Sequence, residues 1–179
     1  FNEYAHFLHT FLHGMGVWIA RIGLLACLAL HIIFTVLLTK ENKTARTAYA
    51  HETTVQAPKS SLIMIWSGLT ILAFVIYHIL HFTVRIDSEL AGLGKNDPWG
   101  MVILGFQNSF VVLFYIIAMT LLCSHLSHGV SSIFQTLGLR NKKTAPAIKF
   151  VSQTYAVIIY AGFLSIPIAI KLFDFGDYK

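Results

Sequence analysis

The sequence predicts an all-α integral membrane bundle of four transmembrane helices, and three observations lead there. Four apolar runs, at residues 18–39, 62–84, 102–130 and 150–172, each come near the ~20 residues that span the hydrocarbon core of a bilayer. Charged residues make up only 12% of the chain, about half the share usual in soluble domains, and mean hydropathy is +0.68. The runs are continuous rather than alternating. That removes a β-barrel and leaves helices as the way to satisfy backbone N–H and C=O groups in lipid. A single membrane domain is expected over residues 1–179.

The first run is approached through residues 1–16, which mix aromatics with Glu3, His6, His9 and His13. Such aromatics settle at the membrane–water boundary. Glu3 precedes every other carboxylate by a wide margin, the next being Glu41. It reads either as a solvated loop residue or as a proton acceptor at the membrane edge. The chain opens on Phe1 without a secretory pattern, and a segment preceding it is expected. Inside the first run stand Arg21 and, roughly 15 Å further along the axis, His31. Arg21 either snorkels to the headgroups or faces an anionic group of a bound cofactor; the wholly apolar residues that follow favour the second reading.

The second run carries Trp66-Ser67-Gly68 near its entry and Tyr77-His78-Ile79-Leu80-His81 near its exit. Gly68 removes bulk where a neighbouring helix or a flat ligand approaches, and Ser67 either reaches that ligand or anchors at the interface. The third run contains Ser124-His125-Leu126-Ser127-His128-Gly129 and continues past the membrane as an amphipathic extension over 131–138. His125 and His128 are three apart and share one helix face. The fourth run has no histidine, and Pro167 is expected to kink it.

Charge orients the bundle. Lysine and arginine concentrate in 40–60 (Lys40, Lys43, Arg46, Lys59) and 139–149 (Arg140, Lys142, Lys143, Lys149), whereas 85–99 sets Asp87, Glu89 and Asp97 against Arg85 and Lys95. The positive-inside rule then places 40–60 and 139–149 in the cytoplasm and 1–16, 85–99 and 173–179 outside a cell inner membrane. Basic residues confined to loops, with no aromatic-interleaved surface, exclude nucleic acid as a partner. Cys27 and Cys123 lie within apolar runs and form no paired motif.

Ionisable residues inside membrane spans are costly and mark functional sites. Histidines on three runs, with few carboxylates and two isolated cysteines, suit haem iron better than zinc or an iron–sulfur cluster. His31 and His128 lie at similar depth on helices running the same way, so together they can clamp one iron. His78 lies in the outer half of an oppositely directed helix without a mate at its level. His81 and His125 stand beside better candidates and are secondary, while His51 is a loop residue. For any one histidine alone, an interhelical hydrogen bond is the plain alternative.

These residues resemble a family. Phe1-Asn2-Glu3-Tyr4-Ala5-His6-Phe7 ahead of Arg21-Ile22-Gly23-Leu24-Leu25 and His31, the 40–50 loop, Ser67-Gly68-Leu69 ahead of His78, and His125-Leu126-Ser127-His128-Gly129 with Phe134-Gln135 are similar, in order, to the cytochrome b558 membrane anchor of succinate dehydrogenase and fumarate reductase (complex II). The fused anchors of that family have five membrane helices and bind two haems b. The resemblance implies that His31 and His128 ligate the haem nearer the cytoplasm. It implies that His78 ligates the outer one, with the fourth ligand expected on a first helix outside this sequence, the alternative being that one of His6, His9 and His13 substitutes. Arg21, Ser67 and Gly68 become cofactor-binding candidates. Glu3 matches an acidic position near an outer quinone site. Menaquinone or ubiquinone is the implied substrate, with menaquinone favoured. A flavoprotein subunit and an iron–sulfur subunit are the implied partners on the cytoplasmic face, and a homo-oligomer of the complex is a further implied assembly. Succinate chemistry would then reside on the flavoprotein, and this chain would relay electrons. The competing readings are a dihaem anchor of another respiratory dehydrogenase and a haem-free membrane scaffold.

Overall fold

Residues 1–45, 64–93 and 96–173 are described in a computed structural model. Arg46, His51, Lys59 and Lys95, and with them most of the first basic loop and the last six residues, lie outside the described residues. All regular structure among the described residues is helical, and four helices are long and apolar enough to cross a membrane. The chain divides into two units, Phe1–Gln56 and Ala57–Lys179.

In the N-terminal unit a short helix α1 (Asn2–Thr10) leads through a tight turn (Phe11–Gly14) into α2 (Met15–Ala45). Thr10 closes α1 by donating its hydroxyl to the carbonyls of His6 and Phe7 at 3.0 and 3.2 Å. The turn runs through the left-handed region, with φ of 52° at Leu12, 55° at His13 and 84° at Gly14. Only glycine adopts that region without a steric penalty. The reversal brings Phe11 onto Gly16, where a β-carbon would stand 2.6 Å from the Phe11 ring. Gly16 is therefore fixed by close approach. At 31 residues α2 is about 46 Å long, more than the ~30 Å hydrocarbon core. It is apolar around its whole circumference, with Trp18, Ile22, Leu25 and Phe34 all exposed, as a lipid-embedded helix is.

The C-terminal unit begins with α3 (Met64–His78), which widens into a π-helical segment over Ile79–Val84. Arg85 ends that segment in the left-handed conformation (φ 59°), its N–H bonded to the Leu80 carbonyl. A short α4 (Ser88–Leu93) follows, then α5 (Pro98–Gln107). Asp97 caps α5 by accepting the Gly100 N–H at 2.9 Å, with Pro98 at the first helical position where its missing donor costs nothing. Then come α6 (Ser109–Thr136) and α7 (Ala145–Leu172).

The apolar run at 102–130 is thus two helices and not one. Asn108 leaves the helical region at φ −76°, ψ 118°, and its side chain takes the Phe110 N–H at 2.9 Å. An Asn amide competes with the helix for backbone donors, and hydropathy is blind to that. The third membrane helix therefore starts at Ser109. At ten residues α5 is about 15 Å long, too short to cross.

Within this unit α6 is the centre. It packs along α7 and against α3. The short connection makes α6 and α7 antiparallel neighbours, tied at mid-height by Thr120 and Tyr160, whose hydroxyls lie 3.1 Å apart. The face of α7 turned inward carries Ile148, Ser152, Ala156, Leu164, Pro167 and Ile170, an i, i+4 stripe whose small members admit a close helix. Helix α7 continues through Pro167 to Leu172, so the proline does not end it. At its last turn Lys171 donates to the Gln107 carbonyl at 2.8 Å and satisfies an end of α5.

Candidate haem-binding levels

Antiparallel packing of α3 on α6 sets the polar side chains of the two helices opposite one another at two levels. At the first, Ser67 Oγ lies 3.1 Å from His125 Nδ1. The same hydroxyl donates to the Met64 carbonyl at 3.0 Å. A serine has one proton to give, so with that proton on Met64 it accepts from His125 Nδ1–H, and Nε2 is the acceptor nitrogen of that imidazole. Ser67 is buried at 7% exposure, where a polar group needs partners of this kind. Gly68 stands next to it, and a β-carbon there would meet His125 Cε1 at an ordinary 3.6 Å. The room read into Gly68 is filled by the His125 ring. His128 follows one turn later, half-buried, beside Gly129, where a β-carbon would meet nothing within 4 Å.

At the second level Tyr115 of α6 meets the exit of α3. Its hydroxyl lies 3.2 Å from Nδ1 of His78 and 3.2 Å from Nδ1 of His81. Edge contacts with Phe74 at 5.2 Å and Phe106 at 4.9 Å hold the ring, and only 5% of Tyr115 is exposed. The histidines occupy the last turn of α3 and the start of the π-helical segment, a distortion frequent at functional sites. Against this level opens a cavity of about 360 Å³. His81, Asp87, Glu89, Gln107 and Asn108 give it polar walls, and Tyr77 contributes to the apolar ones.

The two levels are well separated. Tyr115 and His128 are thirteen residues apart on α6, about 20 Å along the axis. His78, at the Tyr115 level, and His128 therefore lie far apart along the helix pair.

The remaining candidates lie in the N-terminal unit. Glu3 is exposed on the first turn of α1. Arg21 sits over the Trp18 ring at 5.2 Å, a cation–π pair of the kind that anchors a helix at the interface. His31 lies within α2, and its carbonyl accepts the Thr35 hydroxyl at 2.7 Å.

One sequence-predicted ligand, His78, has the hydrogen bond that an iron-ligating imidazole needs. Iron takes a neutral imidazole through one nitrogen while the other donates to a fixed acceptor; the Tyr115 hydroxyl stands at Nδ1 of His78, whereas the Ser67 hydroxyl stands at Nδ1 of His125 and not of His128. Sequence reasoning passed over Tyr115, Gln107 and Asn108 as parts of an apolar run. A signal was present nonetheless, because a tyrosine hydroxyl inside a membrane span needs a partner. No family model, curated protein or solved structure matches the chain.

Proposed function

We propose that the chain is a haem b-binding membrane anchor of a succinate:quinone oxidoreductase, relaying electrons between membrane quinone and an iron–sulfur subunit on the cytoplasmic side. The reading rests on the family resemblance of the sequence. The observation that supports it furthest is the pair of polar levels about 15 Å apart on α3 and α6, with a hydroxyl at Nδ1 of His125 in one and of His78 in the other, His128 lying one turn beyond the first. Haem b, when bound, supplies one-electron transfer. In this proposal His128, with His31, holds the haem nearer the cytoplasm, and His78 holds the outer one. The basic segments 40–60 and 139–149 face the cytoplasm and the soluble subunits. Glu3 and the cavity beside His81 are the two candidate places for a quinol to lose protons. The cavity is at the small end of ligand sites, enough for a ring headgroup.

A haem-free scaffold has one observation in its favour, because His78 and His125 already bond across helices, contacts worth about 0.6–2 kcal/mol each in membranes. The reduced-minus-oxidised absorption spectrum of the purified complex, with extracted haem quantified, decides between them. Two b-type haems per chain are expected. One haem confines the cofactor to His31 and His128. None removes the cytochrome reading and leaves the histidines to helix packing.

A further inference from the structure

The hydroxyl of Tyr115 has two imidazole nitrogens to serve and a single proton to do it with. His78 Nδ1 and His81 Nδ1 are equidistant from it at 3.2 Å. If both rings donated, the hydroxyl proton of a side chain only 5% exposed would be left without an acceptor in this pair. An unmatched buried polar group is costly. If neither donated, one proton would serve two acceptors. The arrangement that satisfies all three groups is a polarised chain, in which one imidazole donates Nδ1–H to the tyrosine oxygen and the tyrosine donates to Nδ1 of the other. The two rings then carry opposite tautomers, one with its lone pair on Nε2 and the other with a proton there.

The geometry points to Tyr115 as the positioning residue that makes His78 the iron ligand and His81 a donor. This rests on the haem reading above for its direction, whereas the opposition of tautomers does not. With His78 donating to Tyr115, its Nε2 lone pair is available to iron and its ring orientation is fixed. Such a hydrogen bond also raises the basicity of the ligating imidazole. His81, receiving the tyrosine proton on Nδ1, carries its own proton on Nε2. Because His81 lines the cavity with Asp87 and Glu89, that N–H is a donor at a wall otherwise provided with carboxylate and amide acceptors. Two histidines three residues apart thus acquire different chemistry from one hydroxyl.

The test is Tyr115→Phe, which keeps the ring and its edge contacts and removes only the hydroxyl. Nitrogen-15 NMR of histidine-labelled, haem-free full-length chain is the first measurement. The wild type should show His78 and His81 as opposite tautomers, and Tyr115→Phe should abolish that pairing. The same tautomer on both rings in the wild type overturns the inference. The second measurement uses the haem-loaded complex. Tyr115→Phe should weaken binding of the outer haem roughly 10–100-fold, raise its midpoint potential and alter its low-spin ferric signal, with the inner haem unchanged. Tyr160→Phe, which removes a hydroxyl that meets Thr120 and bonds neither imidazole, is the control. An outer haem identical to wild type in affinity and potential overturns the positioning role. A wild-type complex without haem defeats the proposed function instead, and the tautomer measurement separates the two failures.

Discussion

At the residue scale, the histidines differ in what their neighbours ask of them. In the proposed function His31 and His128 hold one haem, so His31→Ala and His128→Ala should each remove the same spectral component and leave any outer haem in place. His78→Ala should remove the other component alone. Haem quantification and difference spectra of the three variants check this, and unequal loss from His31→Ala and His128→Ala would break the pairing. Glu3 is solvent-exposed on α1, so Glu3→Gln should leave stability and haem content unchanged. Quinol turnover should fall at least several-fold, and unchanged turnover in a quinone-reductase assay retires the proton-acceptor role. The polar partners themselves were partly legible in the sequence. His78 and Ser67 stood out because polar groups within lipid require satisfaction. His125 stood out too, but its pairing with Ser67 did not, and Tyr115 was passed over, because which face of α6 meets which face of α3 depends on packing.

At the scale of elements, helix existence followed from hydropathy, and helix interruption followed from side-chain chemistry. The break at Asn108 escaped the apolar count because three polar residues, Gln107-Asn108-Ser109, between Phe106 and Phe110 barely change the average of so long a run. Glycine shows the same limit. Gly68 was singled out by its neighbours in sequence, yet a β-carbon there meets His125 at 3.6 Å, so Gly68→Ala should shift the stability of the detergent-solubilised chain by less than ~0.5 kcal/mol. Gly105, on α5, drew no attention. A β-carbon on it would approach the Phe82 ring to 2.8 Å, within the aromatic cluster of Phe106 and Tyr115. Gly105→Ala should therefore cost about 1–3 kcal/mol through overpacking, read as a lower unfolding temperature. Equal stability of the two variants would contradict the packing of α5 on the π-helical segment.

At the scale of the molecule, orientation in the membrane is the prediction that charge alone makes. With Cys27 and Cys123 replaced by serine, single cysteines at Lys142→Cys and Glu89→Cys should label from opposite sides with a membrane-impermeant maleimide, Lys142→Cys from the cytoplasm. Labelling of both from one side would reverse the reading of the loops. Number of spans, helical class and charge asymmetry were determined by the sequence itself. Each is a sum over many residues, and solvation in lipid depends on such sums whatever the packing. Tertiary structure alone decided that Ser67 faces His125, that one tyrosine serves two histidines, and that a cavity opens beside His81. Those facts turn on the rotation of one helix against another, set by small residues and aromatic contacts many positions apart. A shift of one residue, about 100° of rotation, would leave the hydropathy profile untouched and dissolve every one of them.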